Sequence, residues 1–120
     1  MYLLILVLNK TEYLDEILQE LYKAGVSGAT VMESRGMGRV ICDNEPLFGG
    51  LRRMFQDCRP ENKTIFVVIK SEEMIDKAVN AVETIIGDLE KAGQGVLFTL
   101  PLHRIKGVVP KQENSPDKKA

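Results

Sequence analysis

"YLLILVL", residues 2–8, is the stretch that decides the fold, because it is apolar from end to end. A short run of this kind predicts a buried β-strand, and "TIFVVI", residues 64–69, predicts a second one. A strand of an antiparallel sheet with one face in solvent alternates apolar and polar residues. Neither run alternates, so we expect both faces of both strands to be covered.

Two segments with apolar residues at helical spacing lie between the predicted strands, and each predicts an amphipathic helix. Residues 11–24 form the first segment, and Gly25 is its expected end. The second segment follows Ser71, which we expect to cap the helix, and "AGQG" at residues 92–95 breaks it. The expected N-cap of the first helix is Asn9 or Thr11.

Two further strands, predicted at residues 27–34 and 96–101, complete the order βαβ, long loop, βαβ. This order predicts an α+β fold, a ferredoxin-like βαββαβ sandwich with a long loop between strands 2 and 3. Right-handed crossovers put both helices on one face of the sheet. The other face then needs a cover, and the simplest one is another copy of the chain. The alternative is a cover formed by residues 40–60 of the same chain.

A single domain is predicted at residues 1–109, followed by a polar tail at 110–120 that we expect to be disordered. Residues 36–62 show no sustained period and are interpreted as the long mobile loop. The two cysteines, Cys42 and Cys58, both fall in this loop. We favour two reduced thiols, with a regulatory disulfide as the alternative.

The charge balance excludes some partners. The chain has 16 basic and 17 acidic residues, so nothing indicates attraction to nucleic acid or to an anionic membrane. The apolar N-terminal run lacks a basic region and a cleavage site, and it is too short to span a bilayer. We therefore expect a cytoplasmic protein that does not insert directly into membranes.

Two glycine motifs carry a family resemblance. "GMGR", residues 36–39, ends the second predicted strand and is similar to a G-F-G-R motif, while "GQGVLFTLP", residues 93–101, is similar to G-D-G-K-I-F-V-Y-P. Together with the order of elements, these motifs mean that residues 2–109 resemble the P-II signal-transduction superfamily. The departures described below indicate a member outside its main nitrogen-regulatory branch.

The resemblance implies a non-enzymatic homotrimer that binds a small effector in clefts between subunits. It implies ATP, ADP or AMP as the effector, no tightly bound cofactor, and regulation of a target transporter or enzyme through residues 40–60. Glycine backbones would lie against the nucleotide, and Arg39 would contact phosphate or a loop-closing carboxylate. The implied ligand-binding residues are those of both motifs and three basic residues: Gly36, Met37, Gly38, Arg39, Lys63, Gly93, Gln94, Gly95, Arg104 and Lys106.

The departures from the family pattern concern the phosphate site and the loop. Gln94 and Val96 stand where the family has aspartate and lysine, and Leu89 stands in place of a threonine. Phe48 stands where the family's loop often carries a modifiable tyrosine. We therefore expect a weakened phosphate site.

Three other functions remain as alternatives. A metal-binding trimer of the same superfamily is the leading one, although the single histidine, His103, and the two cysteines lack zinc-ligand spacing. An RNA-binding module would need exposed aromatic residues on the central strands, and these offer only Tyr2 and Phe66. An enzyme would need a catalytic pair or a phosphate loop, and neither is visible.

Overall fold

The computed structural model describes residues 1–43, 61–91 and 93–108. A short 3₁₀ turn at Thr11–Tyr13 leads into the first helix. The predictions for residues 44–60, including Phe48 and Cys58, and for the tail at 110–120 lie outside the described residues. The elements in chain order are β1 (Tyr2–Leu8), α1 (Leu14–Ala24), β2 (Thr30–Ser34), α2 (Met37–Asp43), β3 (Asn62–Ile69), α3 (Glu72–Ile86) and β4 (Gly95–Pro101).

The four strands form one antiparallel sheet in the order β2-β3-β1-β4. The two runs of continuously apolar residues are therefore the central strands, as predicted. In the register of the sheet, Leu6 of β1 lies between Ile65 of β3 and Leu97 of β4. The predicted ferredoxin-like α+β fold is confirmed.

The core lies between one face of the sheet and the two long helices. Every second residue of β1 and β3 points into it, and Leu6 and Ile65 are fully buried. Each of the two long helices packs its apolar face against the sheet, and Ile17 and Val82 are fully buried there. The other members that are at most 2% exposed are Leu4, Leu8, Leu21, Val67, Ile69 and Ala78.

The opposite face of the sheet, here called the open face, is also apolar. Its exposed fractions are 54% for Val96, 44% for Phe98, 47% for Leu100 and 37% for Val68. Its central residues are only partly buried. This confirms that the central strands are apolar on both sides. The apolar members of the open face are Leu3, Ile5, Val7, Met32, Phe66, Val68, Val96, Phe98 and Leu100.

The helix ends agree with the sequence in two places and differ in one. Ser71 caps α3, since its Oγ accepts a hydrogen bond from Met74 N at 3.2 Å, and Gly25 ends α1 with a φ of 113°. The side chains of Asn9 and Thr11 cap nothing. The 3₁₀ turn replaces them, because its backbone N–H groups bond to backbone carbonyls, including that of Asn9 at 3.0 Å.

The predicted loop at residues 36–62 is wrong at both ends. Met37–Asp43 form α2, and β3 starts already at Asn62. The helix begins with a hydrogen bond from Val40 N to the Gly36 carbonyl at 3.1 Å, and it buries Ile41. Seven residues with an internal glycine carry too little periodicity to be recognised from sequence.

Removal of the α3 cap gives a direct test of the fold. Ser71→Ala should lower the free energy of unfolding by about 1 kcal/mol, because Met74 N loses its partner. Urea unfolding followed by circular dichroism measures the change. The matched control is Ser27→Ala, an exposed serine outside the helices, which should have almost no effect. Equal effects of the two substitutions would contradict a capping role.

Candidate functional site

Both glycine motifs lie at the same end of the sheet. The last rung at this end runs from Glu33 through Lys63 and Leu8 to Gly95. "GMGR" begins three residues after Glu33, and the "GQG" turn leads into Gly95. The fold therefore brings Lys63 and both motifs to one edge of the molecule, which is the candidate site.

The "GMGR" motif forms the start of α2 and not an open turn. Neither Gly36 nor Gly38 has a positive φ. A Cβ at Gly36 would lie 3.6 Å from Asn62 Nδ2, which is an ordinary contact. Thus neither a positive φ nor crowding requires glycine at position 36 in the single chain.

Arginines at the start of α2 share one carboxylate. Asp43 accepts a hydrogen bond from Arg35 Nη1 at 3.0 Å and one from Arg39 Nε at 3.3 Å. Met37 extends into solvent and is 69% exposed. Arg39 is therefore held by Asp43 in the structure.

The "GQG" turn is built differently, because here the glycines are required. Gly93 and Gly95 have φ values of 90° and 145°, which side chains rarely adopt. A Cβ at Gly95 would collide with the carbonyl oxygen of Val7. The turn therefore needs glycine for its own geometry, whatever it binds.

Gln94, between these glycines, turns inward. It is 8% exposed, and its Nε2 donates to the Ile86 carbonyl at the end of α3. Its backbone carbonyl accepts from Asn9 N at 3.4 Å. The buried Oε1 has no hydrogen-bond partner among the described residues. The side chain thus fixes the turn to the end of α3.

Two polar contacts at this end were not predicted from sequence. Lys63 Nζ pairs with Glu33 Oε2 at 2.7 Å across β2 and β3. Ser34 Oγ lies 2.5 Å from Asn62 Oδ1 and 2.8 Å from Thr64 Oγ1, next to the start of α2. Cross-strand polar pairs of this kind can be found only once the register is known, because their residues are about thirty positions apart. They fix the base from which α2 begins.

Arg104 and Lys106 do not belong to this end. They follow Pro101, which pairs with Tyr2 at the opposite end of the sheet, and Leu102 N bonds to the Met1 carbonyl at 3.0 Å. A strand the length of β4 separates the ends by about 20 Å. Within one chain, the predicted ligand-binding residues therefore fall into two groups at opposite ends of the sheet.

The two motifs at the shared end are also apart. Glu33 and Gly95 lie on strands separated by three strand spacings, about 14 Å. Gly36 stays beside Asn62 of β3, two spacings from β4, about 10 Å. A single phosphate group cannot touch both motifs of one chain.

Residues 1–43, 61–91 and 93–108 contain no group of three or more side chains that could together hold a metal ion. Within the same residues, no helix has the length and apolar character needed to cross a membrane. Cys42 is disulfide-bonded, so the preferred interpretation as a reduced thiol is wrong for this residue. Cys58 lies outside the described residues.

The described residues form a ferredoxin-like α+β domain with an open apolar face and with both glycine motifs at one end of its sheet. The family model of nitrogen regulatory protein P-II matches residues 1–112. The chain belongs to the P-II family, whose members are regulatory proteins.

Two relatives share most of their length with this chain. The nitrogen regulatory protein P-II of Pasteurella multocida (strain Pm70) is 32% identical over 102 residues, covering 84% of this chain and 86% of the relative. That of Azospirillum brasilense is 27% identical over 92 residues, covering 77% and 78%. These matches confirm the resemblance that was based on the two glycine motifs and the order of elements.

Proposed function

We propose that the chain is a trimeric signalling protein that binds an adenine nucleotide in clefts between its subunits. In this proposal the protein is cytoplasmic and has no catalytic activity. Binding changes the segment at residues 40–60, through which the protein regulates a transporter or an enzyme.

The observation that carries the proposal is the division of the predicted ligand-binding residues between two ends of one sheet. Arg104 and Lys106 start about 20 Å from Gly95, so a site containing all of them needs a second chain. The open face supplies a surface for that chain, because Phe98 and Leu100 remain about half exposed. Apolar surface of this kind is a usual sign of a protein–protein interface.

Each part of the site has a separate task in the proposed complex. The backbone N–H groups at Gly93 and Gly95 contact phosphate oxygens, as glycine-rich turns with positive φ can. Arg39 contributes a guanidinium from the start of α2. Arg104 and Lys106 contribute charge from the neighbouring subunit, and the exposed Met37 lies against the nucleotide.

Val96 weakens the phosphate site in this proposal. It is 54% exposed and apolar, directly after the "GQG" turn, where the family carries a lysine. A hydrogen bond to a charged group contributes about 1.5–3 kcal/mol. Loss of that bond reduces affinity by roughly 10- to 100-fold. The chain is therefore expected to bind adenine nucleotides more weakly than the main branch and with little preference for the triphosphate.

Calorimetry with AMP, ADP and ATP tests both the weak binding and the lack of preference for the triphosphate. Val96→Lys should raise the affinity for ATP by roughly 10-fold or more, and that for AMP by less, because the added charge acts mainly on the outer phosphates. The matched control is Thr84→Lys, which adds the same charge on an exposed part of α3 and should change nothing. Tight binding with strong triphosphate preference in the native chain, unaffected by Val96→Lys, would place the phosphate site elsewhere. Absence of binding in every chain would contradict the nucleotide proposal itself.

A further inference from the structure

The carboxylate of Asp43 occupies the arginines that an anionic ligand would need. It ends α2 and is bonded to Arg35 Nη1 at 3.0 Å and to Arg39 at 3.3 Å. The three side chains are 36%, 48% and 35% exposed, so water and small ligands can reach all of them. Exposure to solvent keeps each ion pair weak.

This arrangement resembles a bound anion in its chemistry. Guanidinium groups bind carboxylate and phosphate oxygens through the same N–H donors, so an Asp43 oxygen stands where a phosphate oxygen would be bound. A phosphate oxygen that binds Arg39 through Nε, or Arg35 through the same Nη1 donor, must displace Asp43 from that donor. With Asp43 in place, the cluster of Arg35, Arg39 and Asp43 carries a net charge of only +1.

A second cation at the same sheet end is neutralised in the same way. Lys63 Nζ lies 2.7 Å from Glu33 Oε2, and the lysine side chain is only 27% exposed. The end of the sheet thus holds its basic residues in pairs with carboxylates. A triphosphate, with its several negative charges, finds little uncompensated positive charge here, whereas a single phosphate requires less of it.

We propose that Asp43 is a specificity-determining residue that competes with phosphate for Arg35 and Arg39 and restricts the site to ligands with few phosphates. This inference rests on the proposed function and narrows it to a nucleoside monophosphate as the preferred effector. It adds a role for a carboxylate that the sequence motifs do not include.

Asp43→Asn is the direct test. It removes the negative charge with little change in shape, so both arginines become available to a ligand. We expect affinity for AMP to rise by about threefold to fivefold, as for loss of a competing exposed ion pair. The gain for ATP should exceed about tenfold, since each added phosphate interacts with the released charge. The difference should shrink at high ionic strength.

Two further variants test whether the effect of Asp43→Asn on affinity depends on its position and on the arginines. Asp76→Asn changes the net charge equally on an exposed part of α3 and should leave all affinities unchanged. In an Arg35→Ala/Arg39→Ala background, Asp43→Asn should lose most of its effect, because neither arginine is left for Asp43 to compete for. A melt followed by circular dichroism verifies that each variant is folded.

Inorganic tripolyphosphate separates this inference from the proposed function. If no chain binds a nucleotide but Asp43→Asn binds tripolyphosphate more tightly than the native chain, the competition is supported and the nucleotide proposal fails. If the native chain binds nucleotides and Asp43→Asn changes neither affinity nor the order of AMP and ATP, the inference is overturned. The inference is also overturned if Asp43→Asn gains neither tripolyphosphate nor nucleotide binding.

Discussion

Val67→Asp should unfold the chain, whereas Val68→Asp should leave the subunit folded and prevent its assembly. The two valines are neighbours on β3, and their side chains point to opposite faces of the sheet. Val67 is 1% exposed and packs in the core under the helices. Val68 is 37% exposed on the open face, opposite Leu3.

The expected magnitudes follow from these positions. An unpaired carboxylate in the core at position 67 should cost more than about 4 kcal/mol, a large part of the stability of a domain of this size. At position 68 the same carboxylate can reach water in the free subunit, so the cost there is expected to stay below about 1 kcal/mol. In the assembled protein it would be buried against a neighbour, which makes assembly unfavourable.

Circular dichroism and light scattering distinguish these outcomes. Val67→Asp should lose its helical signal at room temperature, and Val68→Asp should keep it while its mass falls from that of a trimer to that of one subunit. Val68→Thr, which keeps the size of the side chain, serves as the control and should remain assembled. A native chain that is a stable monomer at micromolar concentration would refute the trimer, and a fully assembled Val68→Asp variant would remove the open face from the interface.

The central strands could be predicted from the sequence, whereas the short helix α2 could not. Continuous apolar runs identified both central strands, because only a strand covered on both sides lacks alternation. Pairing between strands then followed from the order of elements. In contrast, α2 escaped prediction, since it is short and its burial of Ile41 is a tertiary contact that no short periodic pattern reveals.

The candidate site was predicted at the level of its motifs and not of its contacts. The sequence predicted the glycine motifs and Lys63 as ligand-binding residues. The register of β1 with its neighbours places them at the same end of the sheet. The sequence did not reveal that Gln94 turns inward to α3 or that Arg104 starts at the far end. Side-chain direction and strand ends are set by tertiary packing, which a single sequence does not encode locally.

Among the six glycines whose surroundings the structure describes, Gly95→Ala should be the most destabilising substitution, lowering the free energy of unfolding by about 3–5 kcal/mol. Two causes act together at this position. The φ of 145° is unfavourable for any residue with a Cβ, and the new methyl group would meet the backbone oxygen of Val7. That oxygen belongs to the central strand β1, so relief of the contact would separate β4 from the sheet.

Two other glycines separate these causes. Gly107 has a φ of 99° but open space around it, so Gly107→Ala should cost only about 1–2 kcal/mol from backbone strain. Gly28 has neither a positive φ nor a neighbour within 4 Å, so Gly28→Ala should be neutral or slightly stabilising. Denaturant unfolding of the three variants gives the comparison. An equal loss of unfolding free energy in Gly95→Ala and Gly107→Ala would mean that the contact with Val7 does not contribute to the effect.

The Gly95 result also bears on how the motif is interpreted. If Gly95→Ala unfolds the chain, the second glycine of "GQG" is required by the sheet before any ligand is considered. Its presence in the motif is then no argument for phosphate binding. Gly36 gives the contrast, because Gly36→Ala meets only Asn62 Nδ2 at 3.6 Å and should leave the fold intact. A loss of nucleotide affinity in folded Gly36→Ala, measured by calorimetry, would therefore report on the ligand itself.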